Sequence, residues 1–171
     1  MSVLIAMTES TKDIIVSPIK SIKFDLGNKS IAFCICTMDT EYDKYRSEFV
    51  HVLHFMDFTD GTRENSFQQY HAEQVHGFYI SVSHNAQIEC ICVCCDSGES
   101  RSAAIAAALL RAQKMSDLCI WKSPEYHPNP YVYRLTCKSF GLYVDNKDLK
   151  KKLALNQEAL HRLIHTVSQN N

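Results

Sequence analysis

Nine consecutive residues concentrate the reactive groups of this chain: Cys94-Cys95-Asp96-Ser97-Gly98-Glu99-Ser100-Arg101-Ser102. The residues before them are almost wholly apolar and read as a buried strand. Those after them are rich in Ala and Leu and read as a buried helix. A strand–loop–helix joint aims several backbone N–H groups, and the positive end of the helix dipole, at one point. An anion bound there is stabilised without any lysine. Gly98 permits the loop to curl through a φ that other residues disfavour. The planar fork of Arg101 can grip two oxygens of a phosphate. Cys95 stands at the base of that ring of donors, where the same field favours a thiolate over a thiol.

A thiolate facing a bound phosphate is an activated nucleophile. The implied reaction is attack on phosphorus to give a cysteinyl-phosphate, which water then hydrolyses. The loop residues Asp96, Ser97, Gly98, Glu99 and Ser100, together with Arg101, are the expected phosphate-binding set. The Ser102 hydroxyl is placed in sequence to donate a hydrogen bond to the departing Cys95 sulfur. As a bare pattern this arrangement arises by chance in roughly one chain in a few hundred, and the flanking strand and helix make accident rarer.

The elements that must position this loop follow from periodicity. Strands are expected at 30–37, 49–55 and 88–94, the first after a turn at Gly27-Asn28, with a weaker one near Val3–Ala6 or Ile19–Phe24. Helices are expected at 66–82, with Ser66 as N-cap, and at 102–114. Two more are expected at 131–140, after the Pro128-Asn129-Pro130 break, and at 155–168, where Leu160, Leu163, Ile164 and Val167 share a face. Strands alternating with helices imply an α/β domain with a central, largely parallel sheet flanked by helices. The loop would join a central strand to a buried helix. With no internal repeat or Pro/Gly/Ser linker, residues 1–171 read as one domain.

The segment resembles the Cys-x5-Arg-Ser/Thr loop of protein tyrosine and dual-specificity phosphatases. The wider order is similar to that of small bacterial and phage members of this superfamily. A strand ending in Phe-x-Asp is followed by a helix, the cysteine strand, an Ala-rich helix, and a Pro-Asn segment leading a Val-Tyr-Arg helix. This chain offers His54-Phe55-Met56-Asp57, the helix from Ser102, and His127-Pro128-Asn129-Pro130-Tyr131-Val132-Tyr133-Arg134 in that order, over roughly residues 30–137. The resemblance implies a single phosphatase-like domain that hydrolyses phosphomonoesters. Its substrate would be a phosphorylated protein or a small phosphomonoester. It also implies an aspartic general acid on a loop before the cysteine, and two residues qualify. Asp57 matches the Phe-x-Asp position, and Asp60 sits beside Gly61. The sequence departs from the superfamily in carrying Cys94 where a histidine usually precedes the nucleophile. It departs again in placing two carboxylates, Asp96 and Glu99, inside the loop, expected to point outward or to pair with a base. These departures motivate the alternative of a catalytically weak phosphate-binding module. Rhodanese-type sulfurtransferases and arsenate reductases also use a loop cysteine, but the Arg-Ser ending and distant Asp favour phosphate esters.

The remaining composition excludes more than it assigns. Hydrophobic residues make up 46%, charged residues 22%, and the formal net charge is -1, so no global basic field draws the chain to nucleic acid or an anionic membrane. No apolar run reaches the roughly 18 residues of a membrane span, and the first residues lack the pattern of a signal peptide. Eight cysteines in such a chain point to reduced thiols and a cytoplasmic setting. Cys34, Cys36, Cys90, Cys92 and Cys94 read as small core hydrophobes; the vicinal Cys94, whose disulfide with Cys95 would be strained, and equally Cys34, Cys36 or Cys92 are the redox neighbours open to Cys95. His71, His76 and His84 lack the spacing of a helical metal pair, so neither metal nor cofactor is expected. The run Lys147–Lys152 reads as a solvated helix start, and Trp121 and Tyr126 as packing residues.

Overall fold

The computed structural model describes residues 11–22 and 30–169. Four short runs rich in β-branched and apolar residues pair in parallel: β1 (Asp13–Pro18), β2 (Ile31–Cys36), β3 (Val50–Leu53) and β4 (Cys90–Cys95). Their order across the sheet is β1-β4-β2-β3. β4 is therefore central, and all six of its residues are buried, which explains its nearly unbroken apolar sequence. The helices are α1 (Gln69–Ser83), α2 (Arg101–Ala112), α3 (Leu118–Trp121), α4 (Pro130–Ser139) and α5 (Asn146–Gln169). The α/β architecture with a parallel sheet is as the pattern of elements implied.

The two faces of the sheet are covered differently. Ile91, Val93 and Cys95 of β4 point into the main core, where α2 packs on β4, α4 packs on α2, and α1 packs on α4. Cys92 and Cys94 point the other way, where Ile19, Tyr42 and Tyr45 from two 3₁₀ turns, Ile19–Ser21 and Thr40–Tyr45, provide the cover. α2 is buried along almost its whole length. Its run of alanines lets it approach the sheet closely, with Ile105 and Leu109 filling the remaining space.

Several expectations are corrected. The first strand is Asp13–Pro18, not Ile19–Phe24; Ile19 opens a 3₁₀ turn, while Val3–Ala6, Phe24 and the Gly27-Asn28 turn lie outside the described residues. α1 begins after Gln68, not at Ser66, because the Gln68 backbone N–H donates to His71 Nδ1 at 3.0 Å. Burial pushes the His71 imidazole down to about 4, which keeps that lone pair available. α5 starts at Asn146, about two and a half turns ahead of the expected 155, where Asp145 Oδ2 accepts the N–H groups of Lys147 and Asp148. Lys152 in this first part is not solvated but 6% exposed, in an ion pair with Asp117. Leu163, Ile164 and Val167 near the end of α5 are exposed and not part of the core. Trp121 is fully buried, and Tyr126 packs against the same core. No helix among the described residues is long and apolar enough to cross a membrane.

Candidate active site

Residues 96–100 connect the last residue of β4, Cys95, to the first of α2, Arg101. Two features bend the connection. Gly98 has φ +76°, and a Cβ there would lie 2.4 Å from Pro18 N and 2.7 Å from Ser17 C. Pro18 is the register partner of Cys95 across β1 and β4, so the end of β1 forms a wall against the loop. The Glu99 carbonyl accepts the His127 N–H at 2.9 Å, and the Ser100 carbonyl accepts Ala104 N–H at 2.9 Å and Asn129 N–H at 3.4 Å. Because a trans peptide is planar, the N–H groups of Ser100 and Arg101 point opposite to those carbonyls, away from the 127–129 segment.

Cys95 is 1% exposed, and its Sγ lies 3.1 Å from Ser102 Oγ. Arg101 is also buried, with one terminal nitrogen donating to the Phe55 carbonyl at 2.9 Å and the other to Asp96 Oδ2. Burial opposes the guanidinium charge, but the Asp96 hydrogen bond and nearby Cys36, Asp96 and Cys95 more than offset it, holding the Arg101 pKa above its usual value. Asp96 is fixed from its other oxygen by Thr37 Oγ1, which donates at 3.0 Å from the residue after β2. Thr37 is braced in turn, since His54 bridges its carbonyl (3.1 Å) and Asp43 (2.9 Å). Of the two loop carboxylates, Asp96 thus pairs with a base, and Glu99 is exposed. Ser97 is exposed as well.

Of the two candidate acids, only Asp57 is brought to the loop. Its Oδ1 accepts from Ser100 Oγ at 3.0 Å and from Asn129 Nδ2 at 2.7 Å. Asp60 is half-buried and turned onto its own segment, accepting from the N–H (3.0 Å) and hydroxyl (2.5 Å) of Thr62. Those hydrogen bonds hold its carboxyl below the usual range.

Thr37 and the Phe55 carbonyl are site elements without an individual signature in the sequence, and Asn129 carries one only as a helix cap. Asn129 is 3% exposed and works with both ends of its amide. Oδ1 caps α4 by accepting the N–H groups of Tyr131 and Val132, and Nδ2 holds Asp57 and the Phe58 carbonyl. An Asn-Pro pair ahead of a helical run is an N-cap signature, but the second use of the amide depends on a residue far away in the chain.

Cys94 faces away from Cys95, its thiol donating to the Cys34 carbonyl at 3.7 Å. Hydrogen bonding with Cys92 and burial push that thiol well above the usual range. Among the cysteines open as redox neighbours, Cys36 is the register partner of Cys95 and shares its core, and burial pushes its thiol well up too. All eight cysteines are free thiols. Among the described residues, no group of three or more His, Cys, Asp or Glu is arranged to hold a metal.

Chemically, the arrangement gathers a buried thiol with a hydroxyl beside it, a buried guanidinium fixed at two nitrogens, and a carboxylate held over the far side of the loop. Comparison of the chain with protein-family models, curated proteins and solved structures finds no match.

Proposed function

We propose that the chain is a cysteine-dependent phosphomonoester hydrolase of the protein tyrosine phosphatase type, acting on a phosphorylated protein or a small phosphomonoester. The observation that carries this reading is that Cys95, Ser102, Arg101 and Asp57 meet at one loop, although Asp57 is 43 residues from its loop partner Ser100.

In the first step the Cys95 thiolate attacks phosphorus in line with the leaving oxygen. The P–S bond forms as the P–O bond breaks, and the proton of Asp57 passes to the leaving oxygen. Arg101 and the loop amides hold the three equatorial oxygens while charge redistributes. In the second step a water attacks the cysteinyl-phosphate and gives its proton to the Asp57 carboxylate. The P–S bond breaks, and the Ser102 hydroxyl, 3.1 Å from the sulfur, stabilises the returning thiolate. Asn129 keeps Asp57 over the loop through both steps.

Hydrolysis of a generic aryl phosphate under reducing conditions tests the reading. Cys95→Ser is expected to abolish turnover, Arg101→Ala to cost roughly 10²–10³-fold, and Asp57→Asn roughly 10²–10⁴-fold. Asp60→Asn is expected to stay near wild type. Phosphate binding without turnover in the wild type would leave a phosphate-recognition module instead, and a silent Cys95→Ser substitution would overturn the mechanism.

A further inference from the structure

Beside the loop that carries Asp57 lies a groove of about 450 Å³ between the first turns of α4 and the first turns of α5. Its lining includes Thr59, Tyr131, Arg134, Leu149, Lys150 and Leu153. Two links tie it to the candidate site. Thr59 is two residues along the chain from Asp57, and Pro130, also in the lining, directly follows Asn129, whose amide holds Asp57. Tyr131 also abuts the Asp57 loop, its hydroxyl 2.1 Å from where a Cβ on Gly61 would be. A second concavity of about 450 Å³ shares Arg134 and continues along α4 to Lys138.

The charge in this groove has one sign. Arg134 and Lys150 are exposed, and among the described residues neither has a carboxylate partner. Among the described residues, Arg134 donates only to the neutral Asn146 side chain. The nearby acids are engaged elsewhere, Asp145 in capping α5 and Asp148 with Lys152 at 3.2 Å. The acids nearer the loop are paired, Glu41 with Lys44, Asp43 with Arg46 and Asp96 with Arg101. Among the described residues, positive charge without a carboxylate partner is therefore found at Arg134 and Lys150, toward α4 and α5. Tyr131, Leu149 and Leu153 give the lining an apolar part, which suits the methylene stem of an acidic side chain.

Resting on the phosphomonoesterase reading above, we propose that this groove is a subsite for acidic side chains flanking the phosphorylated residue of a peptide substrate, with Arg134 and Lys150 as its cations. Recognition is by charge in a half-solvated concavity, so it selects among phosphopeptides without altering the chemical step.

The test uses the full chain and a pair of phosphotyrosyl peptides, one with glutamates on both sides of the phosphorylated residue and one with glutamines. The glutamate peptide is expected to show a KM roughly threefold to tenfold lower, in line with two partly solvated ion pairs, and the preference should shrink in high salt. Arg134→Gln and Lys150→Gln should each erode the preference, and the double substitution should remove it. KM and kcat for a small aryl phosphate should stay unchanged in all three variants. Equal KM values for the two peptides, or a preference that survives the double substitution, would overturn the subsite. Among the described residues Lys150 makes no side-chain hydrogen bond or ion pair, so Lys150→Gln keeps the test alive if Arg134→Gln lowers stability. If the wild type turns over neither aryl phosphate nor peptide, the hydrolase reading fails. Fluorescence anisotropy with the Cys95→Ser chain then decides the subsite separately, by whether glutamate peptides bind more tightly and lose that advantage in the double variant.

Discussion

At the scale of single residues, the notable feature is that the phosphate-gripping candidate Arg101 already has an anion on it. Asp96 engages one terminal nitrogen and is itself held by Thr37. A guanidinium carries five donors, so the Phe55 carbonyl and Asp96 leave others free for a substrate. The Asp96 carboxylate nonetheless adds negative charge at the mouth of the site, where its side chain is 56% exposed. An arriving phosphate dianion is repelled by it and competes with it for the same fork. Removing the charge in Asp96→Asn is expected to lower KM for an aryl phosphate by roughly twofold to fivefold, the scale of a half-solvated ion pair, with kcat little changed. Steady-state kinetics decides the point. A raised KM together with a lower kcat would mean that Asp96 positions the guanidinium more than it competes.

At the scale of elements, the loop depends on the end of β1 as much as on β4 and α2. Gly98 is the point of contact, since both its φ of +76° and the 2.4 Å approach to Pro18 N exclude a side chain. Gly98→Ala must push the loop away from β1 or distort it, at a cost of roughly 1–3 kcal/mol. Because Cys95 and Arg101 lie at the two ends of that loop, activity is expected to fall further than stability. Thermal unfolding and aryl phosphate turnover, measured on the same preparation, separate the two effects. A variant as active as wild type would mean that the wall at Pro18 is not needed for catalysis. The contrast also shows what could be read in advance. The strand–loop–helix unit is continuous in sequence, so its residues and order were legible from 88 to 112. β1 was not, because its apolar core, Ile14-Ile15-Val16, is only three residues long and becomes a strand by pairing with β4. Asp57 could be favoured over Asp60 only by resemblance, since the Asn129 and Ser100 contacts that separate them join distant parts of the chain.

At the scale of the whole molecule, the helices are tied together behind the site by a buried polar cluster. Asp117 Oδ2, ahead of α3, accepts from Trp121 Nε1 (3.1 Å), Tyr133 Oη of α4 (2.7 Å) and Lys152 Nζ of α5 (2.8 Å). Arg111 of α2 reaches the same Tyr133 oxygen at 3.2 Å, so four helices converge on one carboxylate and one phenol. Burial, followed by the Asp117 hydrogen bond, drives the Tyr133 pKa far up, which keeps the phenol a donor. Helical period carried a signal for this: Leu149, Lys152, Asn156 and Ala159 form one buried stripe on α5, so Lys152 belongs to the inner face of a run that otherwise reads as solvated. Lys152→Met keeps the stem and removes the charge, leaving Asp117 a buried carboxylate without its cation. Such a loss costs roughly 3–5 kcal/mol when one partner of a buried pair is deleted. Urea unfolding should show that loss, and adding Asp117→Asn to Lys152→Met should recover part of it by removing the stranded charge. Turnover per folded molecule should hold in both variants, because among the described residues no hydrogen bond or ion pair joins the cluster to the 95–102 loop or Asp57. A loss below about 1 kcal/mol in Lys152→Met would place this pair in the range of solvated surface pairs, and the convergence of the four helices would then rest on apolar packing alone.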